Sequence, residues 1–294
     1  QRMSESDFFH FNFLGLPEKF SQYSRSRFVV LPVPYEQTTS FKGGTKDGPL
    51  AIINASRQVE FFDEELKREF IQAGIHTLPE MSSTALGPEA MNRKIYKETK
   101  NLLKDKKFVI MLGGEHSLTF GCVQAYQEKY PRLSVLQLDA HADLRDSYQE
   151  NKFSHACAMR RVWELCPVVG YGIRNISLEE YQWVKKKKIR LFWASELKSR
   201  LAAPYEVLDR LTQEVYITID LDYFDPSLVP AVGTPEPGGF FWNETLEFLR
   251  TIFESKNVVG FDLVELSPIP NQVVSEYLAA KLIYKLIGYQ VSKD

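Results

Sequence analysis

The sequence predicts an α/β fold built on a mostly parallel sheet, and three observations carry that prediction. Eight short apolar, β-branched runs recur along the 294 residues, segments of helical spacing separate them, and no linker, low-complexity tract or internal repeat breaks the alternation. Strands alternating with helices imply crossover connections, which set parallel strands side by side and cover both sheet faces. The whole chain, 1–294, is expected to be one domain, with residues 1–26 as an N-terminal extension packed on the body or on a neighbouring subunit.

The elements follow in order. "RFVVLPV" (27–33) reads as the first strand and "GPLAIINASRQVEFF" (48–62) as a helix whose Pro49 suits the first turn. "IHTL" (75–78) is a second strand, and "GPEAMNRKIYKETKNLL" (87–103) a helix opened in the same way by Pro88. "FVIML" (108–112), "LSVLQL" (133–138) and "PVVGYG" (167–172) are strands separated by helical "SLTFGCVQAYQEKY" (117–130) and "HACAMRRVWEL" (155–165). "SLEEYQWVKKKK" (177–188) starts with Ser177 and Glu180 at capping-box spacing, and "IRLFW" (189–193) follows as a strand. "SELKSRLAAPYEVLDRL" (195–211) reads as one helix, "VYITI" (215–219) as a strand, "NETLEFLRTIFE" (243–254) as a helix, "VVGFDLV" (258–264) as the last strand and "VSEYLAAKLIYKLIGY" (274–289) as the closing helix.

Composition narrows the function. The 36 basic and 38 acidic residues leave a net charge of -2, so nothing draws the chain as a whole to nucleic acid or to a membrane. No apolar run approaches the roughly 18 residues of a membrane span. Cys122, Cys157 and Cys166 are odd in number and show no CxxC spacing, which predicts a reducing, cytoplasmic compartment.

In an open parallel sheet, ligands bind beyond the carboxyl ends of the strands. Here those ends are polar: "GGEHS" with His116, "DAHAD" with Asp139, His141 and Asp143, "DLDYFDP" with Asp220 and Asp222, and "DLVELSP" with Asp262 and Glu265. Period-two spacing, about 7 Å between alternate residues of an extended strand, would aim Asp139, His141 and Asp143 to one side. Taken singly, each is as well explained as a polar cap on a strand. Together, four carboxylates and two imidazoles in one crevice repel one another unless cations lie between them, which predicts a site for two metal ions. Carboxylates can bridge such a pair, the pair activates a bridging water as hydroxide, and an oxygen-rich set without thiolate favours Mn²⁺ over Zn²⁺.

These motifs resemble the signature segments of the ureohydrolases, the arginase and agmatinase family, and "GTKDGP" (44–49), "GIR" (172–174), "GTPEPGG" (233–239) and "GFDLVELSP" extend the likeness over most of the chain. The resemblance implies a three-layer α/β/α fold with an eight-stranded, mostly parallel sheet, as in arginases and the related deacetylases. It implies that His116, Asp139, Asp143 and Asp220 bind one Mn²⁺ and His141, Asp139, Asp220 and Asp222 the other. It further implies that His155 shuttles a proton to the departing amine and that Glu265 pairs with the guanidinium fork of the substrate. Imidazole suits proton transfer near neutral pH, and a carboxylate suits bidentate contact with a guanidinium. Such enzymes are commonly trimers or hexamers, so a homo-oligomer is expected.

Arginases read the amino-acid end of arginine at positions that here hold Arg145, approximately Asn151, and Ser177, and these departures weigh against arginine. The expected reaction is hydrolysis of agmatine to putrescine and urea, with guanidinobutyrate, aminopropylagmatine and arginine as alternatives, and a non-catalytic metal or guanidine binder as a further one. A deacetylase is disfavoured because no adjacent histidines occur. Tyr148, Phe153 and Trp242 are candidate wall residues, with core or surface roles as their alternative. "KKKK" (185–188) reads as a solvated helix end, and "FKGGTKDGP" lacks the order of a phosphate loop. "FFHFNFLGL" (8–16) is too apolar to stay in water, and Cys157 reads as a small buried side chain beside His155.

Overall fold

The computed structural model describes residues 10–199 and 203–293. In chain order the strands are β1 (Phe28–Val33), β2 (Phe62–Asp63), β3 (Arg68–Glu69), β4 (Ile75–Thr77), β5 (Phe108–Gly113), β6 (Ser134–Leu138), β7 (Val168–Ile173), β8 (Leu191–Trp193), β9 (Glu214–Asp220) and β10 (Asn257–Val264). The helices are α1 (Glu18–Ser21), α2 (Gly48–Ser56), α3 (Pro88–Lys104), α4 (Thr119–Lys129), α5 (Ala158–Trp163), α6 (Leu178–Lys187), α7 (Ala194–Ser199), α8 (Ala203–Arg210), α9 (Trp242–Ser255) and α10 (Val274–Ser292).

Among the described residues, eight strands form one sheet in the order β4-β1-β5-β10-β9-β6-β7-β8, every neighbouring pair parallel. Each of the eight apolar runs supplies one of these strands. Alternate residues of β1 feed two cores: Phe28 and Val30 join Ile52, Leu249 and Ile283 on the side of α2, α9 and α10. Val29, Leu31 and Val33 join Ile95, Val123 and Val162 on the side of α3, α4 and α5. The result is the three-layer α/β/α arrangement expected from the motifs. The proline starts of α2 and α3 and the Ser177–Glu180 capping box of α6 are also present.

One segment differs from its sequence reading. The helix expected over 48–62 stops at Ser56, and the chain turns back through the antiparallel hairpin of β2 and β3. Asp63 makes that turn by accepting the Glu65 and Leu66 N–H groups, a competition with helical bonding that aspartate is suited to win. Of the helix expected over 195–211, the described residues show α7 and α8 on either side of 200–202, which lie outside the described residues. At the N-terminal end, Phe13, Leu14 and Leu16 are buried, and the Phe13 and Leu14 N–H groups donate to Thr77 Oγ1 and Ser56 Oγ at 2.9 and 2.8 Å. Phe11 is exposed, and Phe8 and Phe9 lie outside the described residues.

The hairpin is tied to α10 by Lys285, whose Nζ stands 3.0 Å from Asp63 Oδ1 and 3.2 Å from both Glu64 Oε1 and Glu65 Oε2. Lys285→Met keeps the buried stem but leaves Asp63 a buried charge without its cation. The expected cost is about 3–5 kcal/mol in urea denaturation; a loss under about 1 kcal/mol would show that the cluster does not hold the hairpin.

Sheet topology fixes where chemistry can occur. β5 and β6 are consecutive in this sheet by chain order yet are separated in space by β10 and β9, so the crossover leaves a crevice at their carboxyl ends. Leu138 pairs with Ile219 and Asp220 with Val264, which brings the ends of β6, β9 and β10 level.

Candidate metal centre

Three strand ends bring the six expected metal ligands together. His116 opens the turn after β5, Asp220 is the last residue of β9, and Asp222 sits in the 3₁₀ turn that follows. Asp139, His141 and Asp143 follow β6, which ends at Leu138, so the period-two geometry of a strand is not what gathers them. They converge because the chain turns: His141 bridges to Asn175 beyond β7, and Asp143 takes a left-handed backbone with φ 52°. Arg174 holds the surrounding loops by donating from its guanidinium to the carbonyls of Asp222, Phe224 and Glu236.

The decisive detail is the tautomer of His116. Tyr216 OH and Thr218 Oγ1 both donate to the buried Asp262 carboxylate, at 2.8 and 2.6 Å. The proton of Thr218 is thereby used, so its oxygen accepts His116 Nε2–H at 2.9 Å. In the neutral ring, Nδ1 is then left with a lone pair, buried and without a hydrogen bond, while Asp139, Asp143 and Asp220 oxygens stand 3.2, 3.0 and 3.3 Å away. A lone pair facing three carboxylate oxygens is stable only with a metal ion among them or with a proton taken up in its place. On the other side, His141 Nδ1 lies 2.8 Å from Asp222 Oδ2 and 3.8 Å from Asp139 Oδ1. His116, Asp139 and Asp220 form one group with ligand atoms close enough for an ion, and Asp139, His141 and Asp222 a second.

The electrostatics of the metal-free cluster point the same way. Burial, with Asp222 and Asp143 close by, pushes Asp139 up to about 7. Burial and then Asp222 and Asp139 hold Asp220 well above the usual carboxylate range. For His116, burial opposes the charged ring, but Asp139, Asp143 and Asp220 outweigh it and raise the group well above its ordinary value. Burial also opposes charge on His141 and Asp222, yet their mutual attraction prevails, taking His141 up to about 11 and Asp222 down to about 2. Protons substitute for missing positive charge in this cluster.

A cleft of about 200 Å³ opens onto these residues, lined also by His155, Glu265 and Tyr148. That is below the roughly 300–1,000 Å³ of pockets for drug-sized ligands, so a slim molecule fits. Glu265, after β10, has φ 67°, and its Oε1 accepts the His116 N–H at 2.7 Å. Two non-glycine residues of one site in left-handed backbone store strain that the surrounding bonds must offset. His155 begins the 3₁₀ turn ahead of α5, with Tyr148 edge-on to its ring at 5.9 Å.

Other candidates separate clearly. Phe153 packs edge-on against Phe120, and Trp242 packs against the core at the start of α9, so neither lines the cleft, whereas Tyr148 does. Cys157 is buried. Ser177 Oγ is bound to Glu180 at 2.6 Å, and Asn151 Oδ1 accepts the Phe153 N–H. Arg145 lies over the Tyr148 ring with Nε 3.8 Å from Glu180 Oε2. Asp262 supports His116 from outside the cluster. Sequence reasoning misses Glu115 and Thr38; the signal for Glu115 is an acidic residue inside "GGEHS", preceded by two glycines that let backbone approach. A side chain on Gly114 would stand 2.0 Å from the Tyr35 carbonyl oxygen.

Comparison with known proteins adds an independent line. A model of the arginase family matches residues 26–288. The N(1)-aminopropylagmatine ureohydrolase of Synechocystis sp. is 42% identical over 280 residues, covering 92% of each chain. The protein of the same name from Thermus thermophilus is 40% identical over 272 residues, again covering 92% of each. The crystal structure of agmatine ureohydrolase of Thermoplasma volcanium superposes with a TM-score of 0.87 at 30% identity, covering 97% of this chain and 96% of that one. No described helix is long and apolar enough to cross a membrane.

Proposed function

The chain belongs to the arginase family and is an agmatinase-like ureohydrolase, and from that premise we propose that it hydrolyses the guanidinium group of N(1)-aminopropylagmatine to urea and spermidine, with agmatine as the second reading. The observation that carries the hydrolase assignment is His116 Nδ1, a buried nitrogen without a hydrogen bond that faces three carboxylate oxygens beside a cleft that also holds His155 and Glu265. The sequence motifs point to agmatine; the names of the relatives at 42% and 40% identity move the aminopropylated form ahead of it.

The donor set fits a pair of divalent cations, Mn²⁺ before Zn²⁺, because four of its six residues are carboxylates and none is a thiolate. His116 and Asp143 would hold one, His141 and Asp222 the other, with Asp139 and Asp220 common to both. When bound, the pair supplies an activated water at neutral pH. The chain's own groups do the rest. Glu265 receives the guanidinium N–H groups and keeps the carbon in place for attack. His155 delivers the proton without which the departing amine nitrogen cannot leave. Ser177 and Asn151 are engaged in local bonds, which leaves them poorly disposed to read the α-amino and α-carboxylate ends of arginine.

One panel tests this: urea release by the Mn²⁺-loaded protein from aminopropylagmatine, agmatine, guanidinobutyrate and arginine. The expected kcat/KM for aminopropylagmatine is roughly tenfold or more above agmatine and roughly 100-fold or more above arginine. A preference for agmatine would replace the first reading by the second; no urea from any of the four would overturn the hydrolase assignment.

A further inference from the structure

We infer that Thr38, fixed by the buried carboxylate of Glu115, sets the tautomer and orientation of His155. The inference rests on the ureohydrolase reading only for what His155 then does. Glu115 follows β5, and four donors converge on it: the Gln37 and Thr38 N–H groups at 2.7 and 2.6 Å, Ser117 Oγ at 2.5 Å and Thr38 Oγ1 at 2.9 Å. Two of these are backbone N–H groups that can only donate, and the carboxylate takes up the two hydroxyl protons as well. Thr38 Oγ1 therefore has only lone pairs left for its other neighbours.

Both of those neighbours belong to His155. Its backbone N–H donates to Thr38 Oγ1 at 3.0 Å, and its ring Nδ1 lies 3.3 Å from the same oxygen. An acceptor facing Nδ1 requires a proton there, so the neutral ring carries Nδ1–H and presents the Nε2 lone pair on the side of Ser40, whose Oγ is 3.5 Å away. One hydroxyl thus holds the residue at two points, backbone and ring, and links it to an anchor 40 positions earlier in the chain. Gly114 makes the link possible: only without a Cβ can the end of β5 lie against the Tyr35 backbone and bring Thr38 onto Glu115. The hydrogen bonds of Thr38 go to Glu115 and His155 and to none of the six candidate ligands, so it acts as a positioning residue.

The test is a comparison of Thr38→Val, which keeps shape and loses the hydroxyl, with Thr38→Ser, which keeps the hydroxyl. Metal-free, ¹⁵N-histidine-labelled protein at alkaline pH, with His155→Gln used for assignment, reports the tautomer directly. The expected spectrum shows Nδ1–H for His155 in the wild type and in Thr38→Ser, and its loss in Thr38→Val. With Mn²⁺ bound, kcat of Thr38→Val is expected to fall roughly 10²-fold while KM and metal content change less than about twofold, and Thr38→Ser is expected to recover to within about threefold of wild type. An Nε2–H pattern in the wild type, or a folded Thr38→Val enzyme with kcat within about twofold of wild type, would overturn the inference. If Thr38→Val does not fold, the wild-type spectrum decides; if no guanidine yields urea, the ureohydrolase reading falls and the spectrum still decides the tautomer.

Discussion

Replacing Asp139 with asparagine is expected to lower urea release by roughly 10³-fold or more and to strip bound metal from the protein. Asp139 belongs to both groups of candidate ligand atoms, with Oδ2 3.2 Å from His116 Nδ1 and Oδ1 3.8 Å from His141 Nδ1. Asparagine fills the same volume, and its carbonyl can still accept the His141 N–H that Oδ1 accepts at 2.6 Å. What is lost is one negative charge and a second acceptor, so both ions should be weakened by a single change. The metal-free state responds in the opposite sense. Burial with Asp222 and Asp143 raises Asp139 from the usual carboxylate range to about 7, so stability falls as pH rises from about 4 to about 7 and the full cost is present above that. At pH 8 the metal-free Asp139→Asn protein should therefore unfold at no lower temperature than metal-free wild type, while the stabilisation gained on adding Mn²⁺ shrinks. Wild-type levels of metal and urea release in Asp139→Asn would sink the two-ion reading.

That cluster shows where sequence reasoning reaches and where it stops. The eight strands were legible because a parallel sheet covered on both sides demands near-continuous apolar runs, and each run stands alone between polar segments. The candidate ligands were legible as residue types at strand ends. Their geometry was not: Asp139, His141 and Asp143 lie past β6, and a left-handed turn at Asp143, together with the pairing of His141 to Asn175, gathers them instead of strand alternation. The hairpin at 62–69 was hidden because its anchor, Lys285, lies over 200 residues away and sits inside a helix. Thr38 was hidden for a similar reason. Nothing near it in sequence signals chemistry, and its meaning comes from Glu115 and His155, which only the fold brings to it.

Glu265→Gln is expected to lower kcat/KM by roughly 10²–10³-fold with metal content unchanged. Glutamine has the same length, its carbonyl can keep the His116 N–H that Oε1 accepts at 2.7 Å, and it bears the φ of 67° at no more cost than glutamate. The ligand shell of His116 should therefore survive, which separates this variant from Asp139→Asn. The substrate contact should not. A carboxylate presents two acceptors to a guanidinium and one full charge, whereas an amide presents one acceptor and turns a donor toward a cation. Without a cation in the cleft, burial and the nearby Glu115 push Glu265 well above the usual carboxylate range, against the pull of the His116 N–H. On the proposed role of Glu265, an arriving guanidinium would restore the ionised form, so binding and charge matching would be one event. Because the carbon must be held still for attack, the loss should fall on kcat as well as on KM. A Glu265→Gln enzyme with kcat/KM within about threefold of wild type would show that the guanidinium is held elsewhere, and loss of metal along with activity would place Glu265 in support of His116 instead.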